Sequence, residues 1–188
     1  MSHISSLSNH FLIAMPNLED PNFYHSVTYM CSHDDNGAMG VTINRPILDV
    51  TFNDLLEQLH METDDPDIAN IPIFAGGPVQ PERGFVLHRN FGEWEASMEV
   101  AEDVSLTMSQ DIIEAIALNN GPEKYLIMLG YAGWNDGQLE QELMMNSWLN
   151  GPADPDIIFE VSSDDKWTAA AHHLGVEMSL LSGDVGHA

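Results

Sequence analysis

The chain is poor in cysteine and in positive charge, and it lacks any long apolar run. Its one cysteine, Cys31, has no partner for an intramolecular disulfide, and no CxxC or Cys/His zinc spacing can be assembled around it. That usage suits a reducing, cytosolic compartment. Only 5 Lys and Arg stand against 30 Asp and Glu, a formal net charge of −25. A field of that sign repels phosphate backbones and anionic membranes, so direct nucleic-acid binding and membrane attachment are not expected. The apolar run Phe11 to Met15 is too short for a signal h-region, and no later run would span a bilayer. Enzyme signatures are missing as well: there is no GxSxG elbow, HExxH, GxxxxGK[ST] or strand-borne GxGxxG. Ser163 and Lys166 meet the bare S-x-x-K spacing without the accompanying SDN or KTG, which reads as chance.

What the chain does have is 188 residues, 44% of them hydrophobic, enough for one domain to bury a core. No repeat or Pro/Ser-rich linker divides it. One domain over 1–188 is expected, with its core at about 10–174 and a tail after about 181 only loosely held. Strands are expected at Phe11 to Met15, Ser26 to Ser32 and Met39 to Asn44, the last two joined at Asn36-Gly37. Thr51 and Asp54 open a helix with a Leu55, Leu56, Leu59 stripe. Further strands fall at Ile71 to Ala75, Gly84 to His88 and Trp94 to Val100. Thr107 and Gln110 suggest a capping box for a helix bearing Ile112, Ile113 and Ile116. Tyr125 to Leu129 is nearly all apolar, the pattern of a strand covered on both faces. After it a glycine-rich turn leads to a helix at Gln138 to Trp148, a strand at Ile157 to Val161 and a helix from Asp165 to Leu174. The order places the protein in the α+β class with a mixed, partly antiparallel sheet.

Four blocks together carry a family resemblance: His10-Phe11-Leu12-Ile13-Ala14-Met15-Pro16, Gly37-Ala38-Met39-Gly40-Val41-Thr42-Ile43-Asn44-Arg45-Pro46, Gly76-Gly77-Pro78-Val79 and Gly130-Tyr131-Ala132-Gly133-Trp134. With Gly137-Gln138-Leu139-Glu140 they resemble the AlgH/YqgE family, in family order from residue 10 to about 174. The resemblance implies a bacterial α+β protein in which helices surround a mostly antiparallel, bifurcated, barrel-like sheet. It implies no established catalytic or nucleic-acid-binding residues, although the family name carries a transcriptional-regulation label.

Candidate ligand-binding residues follow from the residues themselves and from those blocks: Asn44, Arg45, Gly76, Gly77, His88, Tyr131, Trp134, Gln138 and Glu140. Gly130 to Glu140 reads as a strand end, a loop and a helix N-terminus, a geometry that gathers backbone N–H groups. Asp136 and Glu140 would repel a phosphate there, so a neutral or cationic ligand, or a segment of another protein, is the expected partner. Tyr131 and Trp134 beside carboxylates could hold an amine or guanidinium; the alternative is that both fill the core. Arg45 serves either as counter-ion to an internal acidic cluster or as anchor for a ligand carboxylate. Cys31 and His33 share one face of a regular strand, and burial would keep that thiol inert. His172 and His173 point about 100° apart on a helix and cannot clamp a metal as an i, i+4 pair could. No metal or cofactor is expected. The leading function is therefore a binding or regulatory accessory protein. A hydrolase with Glu140 as general base, supported by Asn44 or His88, is the alternative, and a DNA-binding regulator ranks below it.

Overall fold

A computed structural model describes residues 5–90 and 92–181. The elements run β1 (His10–Ala14), β2 (Val27–Asp34), β3 (Gly37–Thr42), β4 (Pro46–Thr51), α1 (Phe52–Gln58), α2 (Pro66–Ala69), β5 (Pro72–Ala75), β6 (Val79–Arg89), β7 (Ser97–Ala101), β8 (Val104–Thr107) and α3 (Gln110–Ala117). They continue with β9 (Tyr125–Asn135), α4 (Gln138–Met144), β10 (Trp148–Pro152), α5 (Pro155–Glu160), α6 (Ser163–His173) and a 3-10 turn at Met178–Leu180. The fold is α+β, with a curled, largely antiparallel half-barrel sheet and six helices among the described residues.

Strand order is β10-β1-β2-β3-β9-β6-β8-β7, with β4 and β5 branching from β9. The branch explains the curl. Residues 127–129 of β9 pair in parallel with β5 and antiparallel with β6, whereas residues 132–135 pair antiparallel with β3. Gly130, at φ +77°, marks the exchange of neighbours. Gly76 lies in the fork: its N–H donates to the Leu129 carbonyl and its own carbonyl accepts from Thr42 N–H, each at 2.8 Å. No side chain fits there. A Cβ on Gly76 would lie 2.3 Å from the Gly130 oxygen, and one on Gly77 would lie 2.1 Å from the Tyr131 carbonyl carbon.

Apolar periodicity sorts the side chains into three cores. Inside the curl, Phe11, Tyr29, Val41, Phe85, Leu106 and Met128 pack with Ile157, Ile158, Ala170 and Ala171 of α5 and α6. On the outer face of the β5–β9–β6 region, Ile73, Val86 and Ile127 meet Phe52 and Leu56 of α1, Ile68 of α2 and Ile112, Ile113 and Ile116 of α3. The third cluster sets Leu12, Met30, Ala132, Trp134 and Trp148 against Leu139 of α4. Ile127 and Met128 thus face different cores, as expected of a strand covered on both sides.

Several boundaries differ from the sequence reading. The segment Ile157 to Val161 is not a strand: Asp154 caps α5 by accepting from Asp156 N–H, and Pro155 supplies the first helical φ. Residues 130–135 continue β9, so the expected loop shrinks to Asp136-Gly137. The following helix ends at Met144, and Trp148 belongs to β10, which pairs with β1. Ser109, not Thr107, is the N-cap residue of α3, because Thr107 is the last residue of β8 and bonds to His88. β4 and β8 lie in segments that gave no separate strand signal. The expectation of a loose tail after 181 falls outside the described residues.

Candidate functional site

Two irregular strands open a groove at one end of the sheet. Val79 of β6 opposes Tyr131 and Gly84 opposes Leu129, so residues 80–83 bulge out of the ladder, with Gln80 at φ +47°. Facing them, the β2–β3 hairpin turns at Asp35-Asn36 and projects Asp34 and Asn36. Between hairpin, bulge and the second half of β9 lies an open cavity of about 680 Å³. Phe85, Tyr131, Met39 and Met108 give it an apolar lining, while Ser32, Asp34, Asn36, Arg83 and Gln138 supply polar groups. The Phe85 and Tyr131 rings meet edge to face, centroids 5.9 Å apart. Such a volume falls in the range of small-ligand sites.

Of the residues singled out from sequence, Tyr131, Trp134 and Gln138 line this groove. Tyr131 packs against the inner core, but the Trp134 ring belongs to the third cluster, stacked on Phe23 at 6.3 Å and edge-on to Trp148 at 6.2 Å. The two aromatics therefore do not form a joint cage. The Gln138 Oε1 accepts from Asn135 N–H at 3.0 Å and so closes the turn that precedes α4. With residues 130–135 in the sheet, the expected anion-type loop is not formed.

The other candidates are spread through the fold and held in place by it. Asn44 Oδ1 accepts from Val27 N–H, and its Nδ2 donates to the His25 carbonyl, both at 2.9 Å. Arg45 donates to the carbonyls of Pro21 and Tyr24 at 2.7 and 2.8 Å; it holds the 20–25 loop instead of a ligand or an acidic cluster. Gly76 and Gly77 serve the backbone interlock of the sheet fork. His88, buried in the sheet, donates from Nδ1 to the Arg89 carbonyl at 2.8 Å. That proton leaves Nε2 to accept from the Thr107 hydroxyl at 2.7 Å, and Ser97 in turn bonds to Thr107 at 2.9 Å. Burial pushes the His88 imidazole below the usual histidine value and favours this neutral form.

Glu140 meets a partner that sequence reading missed. Its Oε1 accepts from His33 Nε2 at 2.6 Å, and His33 Nδ1 accepts from Leu7 N–H at 3.0 Å. Both ring nitrogens are spent. The His33 hydrogen bond holds the Glu140 carboxyl below the ordinary glutamate range, which weakens it as a base. The pairing depends on a β-bulge between Met30 and Ser32. Cys31 enters the inner core, where burial pushes its thiol up to about 12, while His33 meets Leu7 and α4 beside the third cluster. The expected shared face of Cys31 and His33 is thereby broken. Strand alternation gave no signal for this, since one extra residue reverses every later side chain.

A second missed residue is Lys166, 2% exposed, whose Nζ donates to the Ile43 carbonyl at 2.9 Å. Its ammonium also lies 5.4 Å from the centre of the Phe74 ring.

Comparison with known proteins gives this architecture a family. The AlgH-like family model matches residues 11–179. The chain belongs to the AlgH-like family. A UPF0301 protein of Thioalkalivibrio sulfidiphilus is 55% identical over 188 residues, covering all of both chains. Another, from Legionella pneumophila, is 48% identical over the same span and again covers both in full. The solution structure of the AlgH protein from Pseudomonas aeruginosa superposes with a TM-score of 0.81 at 46% identity, covering 100% of this chain and 99% of that one. A Corynebacterium diphtheriae protein shares the fold alone, with a TM-score of 0.74 at 21% identity over 97% of this chain and 94% of its own. This AlgH-like chain also has, among its described residues, no helix long and apolar enough to cross a membrane.

Proposed function

We propose that this AlgH-like protein is a binding module, which works by holding a small ligand or a segment of a partner protein in the groove between β2–β3, β6 and β9. The observation that carries the reading is how the reactive side chains are used. His33, His88, Asn44, Arg45 and Glu140 each make contacts that tie the fold together, and Cys31 is buried in the core. The groove, by contrast, presents half-buried Tyr131, Met39 and Met108 beside exposed polar side chains, Asp34 and Arg83 among them. A hydrolytic role for Glu140 is disfavoured by its bond to His33, and direct nucleic-acid binding by the net charge of −25.

Gly133 gives the test. A Cβ at this position meets only ordinary contacts, Tyr131 Cε2 at 3.5 Å and Val79 Cγ2 at 3.7 Å, so Gly133→Leu should fill the groove without unfolding the sheet. Wild type, Gly133→Leu and a remote surface control, Leu48→Lys, would each be used to capture proteins and metabolites from lysate. Species held by wild type and the control but lost from Gly133→Leu support the reading; identical captures from all three refute it.

A further inference from the structure

Positive charge is scarce enough in this chain that the use of every cation can be traced. Arg45 is spent on the Pro21 and Tyr24 carbonyls. Arg89 pairs with Asp103 and Asp156, and Lys124 with Glu160. Lys166 is buried on the Ile43 carbonyl. Arg83 differs from the other four. It is exposed, and among the described residues no carboxylate lies within ion-pair distance of it. The β6 bulge carries it into the lining of the groove, where its guanidinium lies 5.4 Å from the centre of the Phe85 ring and donates to Gln80 Oε1 at 3.3 Å. Stacking over Phe85 and the bond to Gln80 orient the planar fork and leave further N–H groups to meet a ligand.

We propose that the groove takes an organic monocarboxylate with an apolar body, the carboxylate on Arg83 and the body against Tyr131, Met39 and Met108. This rests on the groove being the ligand site. Arginine matches a carboxylate through paired N–H donors, which accounts for the polar end of the ligand. Asp34 lines the same groove, and the chain as a whole carries −25, so a phosphate dianion is disfavoured where a single negative charge is accepted. The aromatic and thioether lining then calls for an apolar remainder instead of a polyol.

The experiment is an NMR titration of the full-length ¹⁵N-labelled chain with phenylacetate, phenylacetamide and phenethylamine in separate arms, at millimolar concentrations and low salt. Phenylacetate is expected to shift the amides of Gly133 and Asn135 and the Arg83 side-chain N–H, and to bind about tenfold more tightly than phenylacetamide. Arg83→Gln should bring phenylacetate to the affinity of the amide, and Arg83→Lys, which keeps the charge but not the fork, should fall between them. Equal binding of phenylacetate and phenylacetamide at the groove would overturn the carboxylate assignment and leave the groove as ligand site. Tighter binding of phenethylamine than of phenylacetate would do the same. Phenylacetate shifts confined to residues away from the groove, or none from any probe, would overturn the carboxylate proposal, and the captures with Gly133→Leu decide the groove reading independently.

Discussion

Replacing Lys166 with methionine should make the protein more stable at neutral pH. The lysine stands on α6 almost wholly out of water, with one bond to a backbone carbonyl and, among the described residues, no carboxylate within ion-pair distance. Desolvation pulls its pKa from 10.5 down to about 8. At about 1.4 kcal/mol per pH unit, that depression corresponds to about 3 kcal/mol of cost for folding with the ammonium charged. Because the folded value is the lower one, the unfolded chain binds more protons between about pH 8 and 10.5, and stability rises with pH across that window. Below about 8 the full cost is present. Methionine preserves the packing volume and removes the charge, at the loss of one hydrogen bond worth about 1 kcal/mol. The variant should therefore gain about 1–2 kcal/mol at pH 7, with the gain shrinking as pH rises towards 10. Urea unfolding of both proteins at pH 7, 8, 9 and 10 measures it. Ionisation of Cys31 and the tyrosines acts on both proteins alike and cancels in their difference. A difference independent of pH would refute the desolvation argument, as would a variant less stable than wild type at pH 7.

Gly76→Ala should cost several kcal/mol in urea unfolding, since its Cβ would meet the Gly130 oxygen at 2.3 Å; Gly84→Ala, with nothing within 4 Å, should change stability by no more than about 0.5 kcal/mol. Cys31, with its thiol at about 12 and no exposure to speak of, should react with a thiol reagent at pH 8 only as fast as the fold opens, and at once in denaturant. Sodium chloride should raise the melting temperature, because it screens, over a Debye length of about 10 Å at 0.1 M, the mutual repulsion of 30 acidic side chains that only 5 Lys and Arg offset; a melting temperature flat in salt would show that the carboxylates are already too dispersed to matter.

The parts of the fold written in local pattern were legible. Thr51 does open α1 with a capping box, its N–H donating to Asp54 Oδ2 at 2.8 Å, and the apolar stretch at the start of β9 does run through the middle of the sheet. What eluded pattern reading is set by contacts distant in sequence. Gly130 looks like a turn because glycine with positive φ ordinarily ends a strand, yet here it lets β9 change partners and continue. Ile157-Ile158-Phe159 is too short for periodicity to separate strand from buried helix, and the Asp154-Pro155 start decides for the helix. Lys166 carries no local mark of burial; only the approach of α6 to the end of β3 removes it from water.

The candidate site shows the same division between local and distant causes. Arg45 and Arg83 are both arginines beside strand irregularities, and composition cannot tell which one is free. Arg45 follows Asn44 at the end of β3, where the 20–25 loop folds back and takes both arms of its guanidinium. Arg83 lies on a bulge in which β6 spends four residues, 80–83, between its pairings with Tyr131 and Leu129, the neighbours of Gly130 at φ +77°. The glycines that interlock the fork thus adjoin the bulge that brings Arg83 into the groove lining. On the proposed reading the Gly76-Gly77 block would act on binding through the fold alone: it packs against Gly130 and Tyr131, beside the point where β6 bulges, and the bulge carries Arg83 over Phe85.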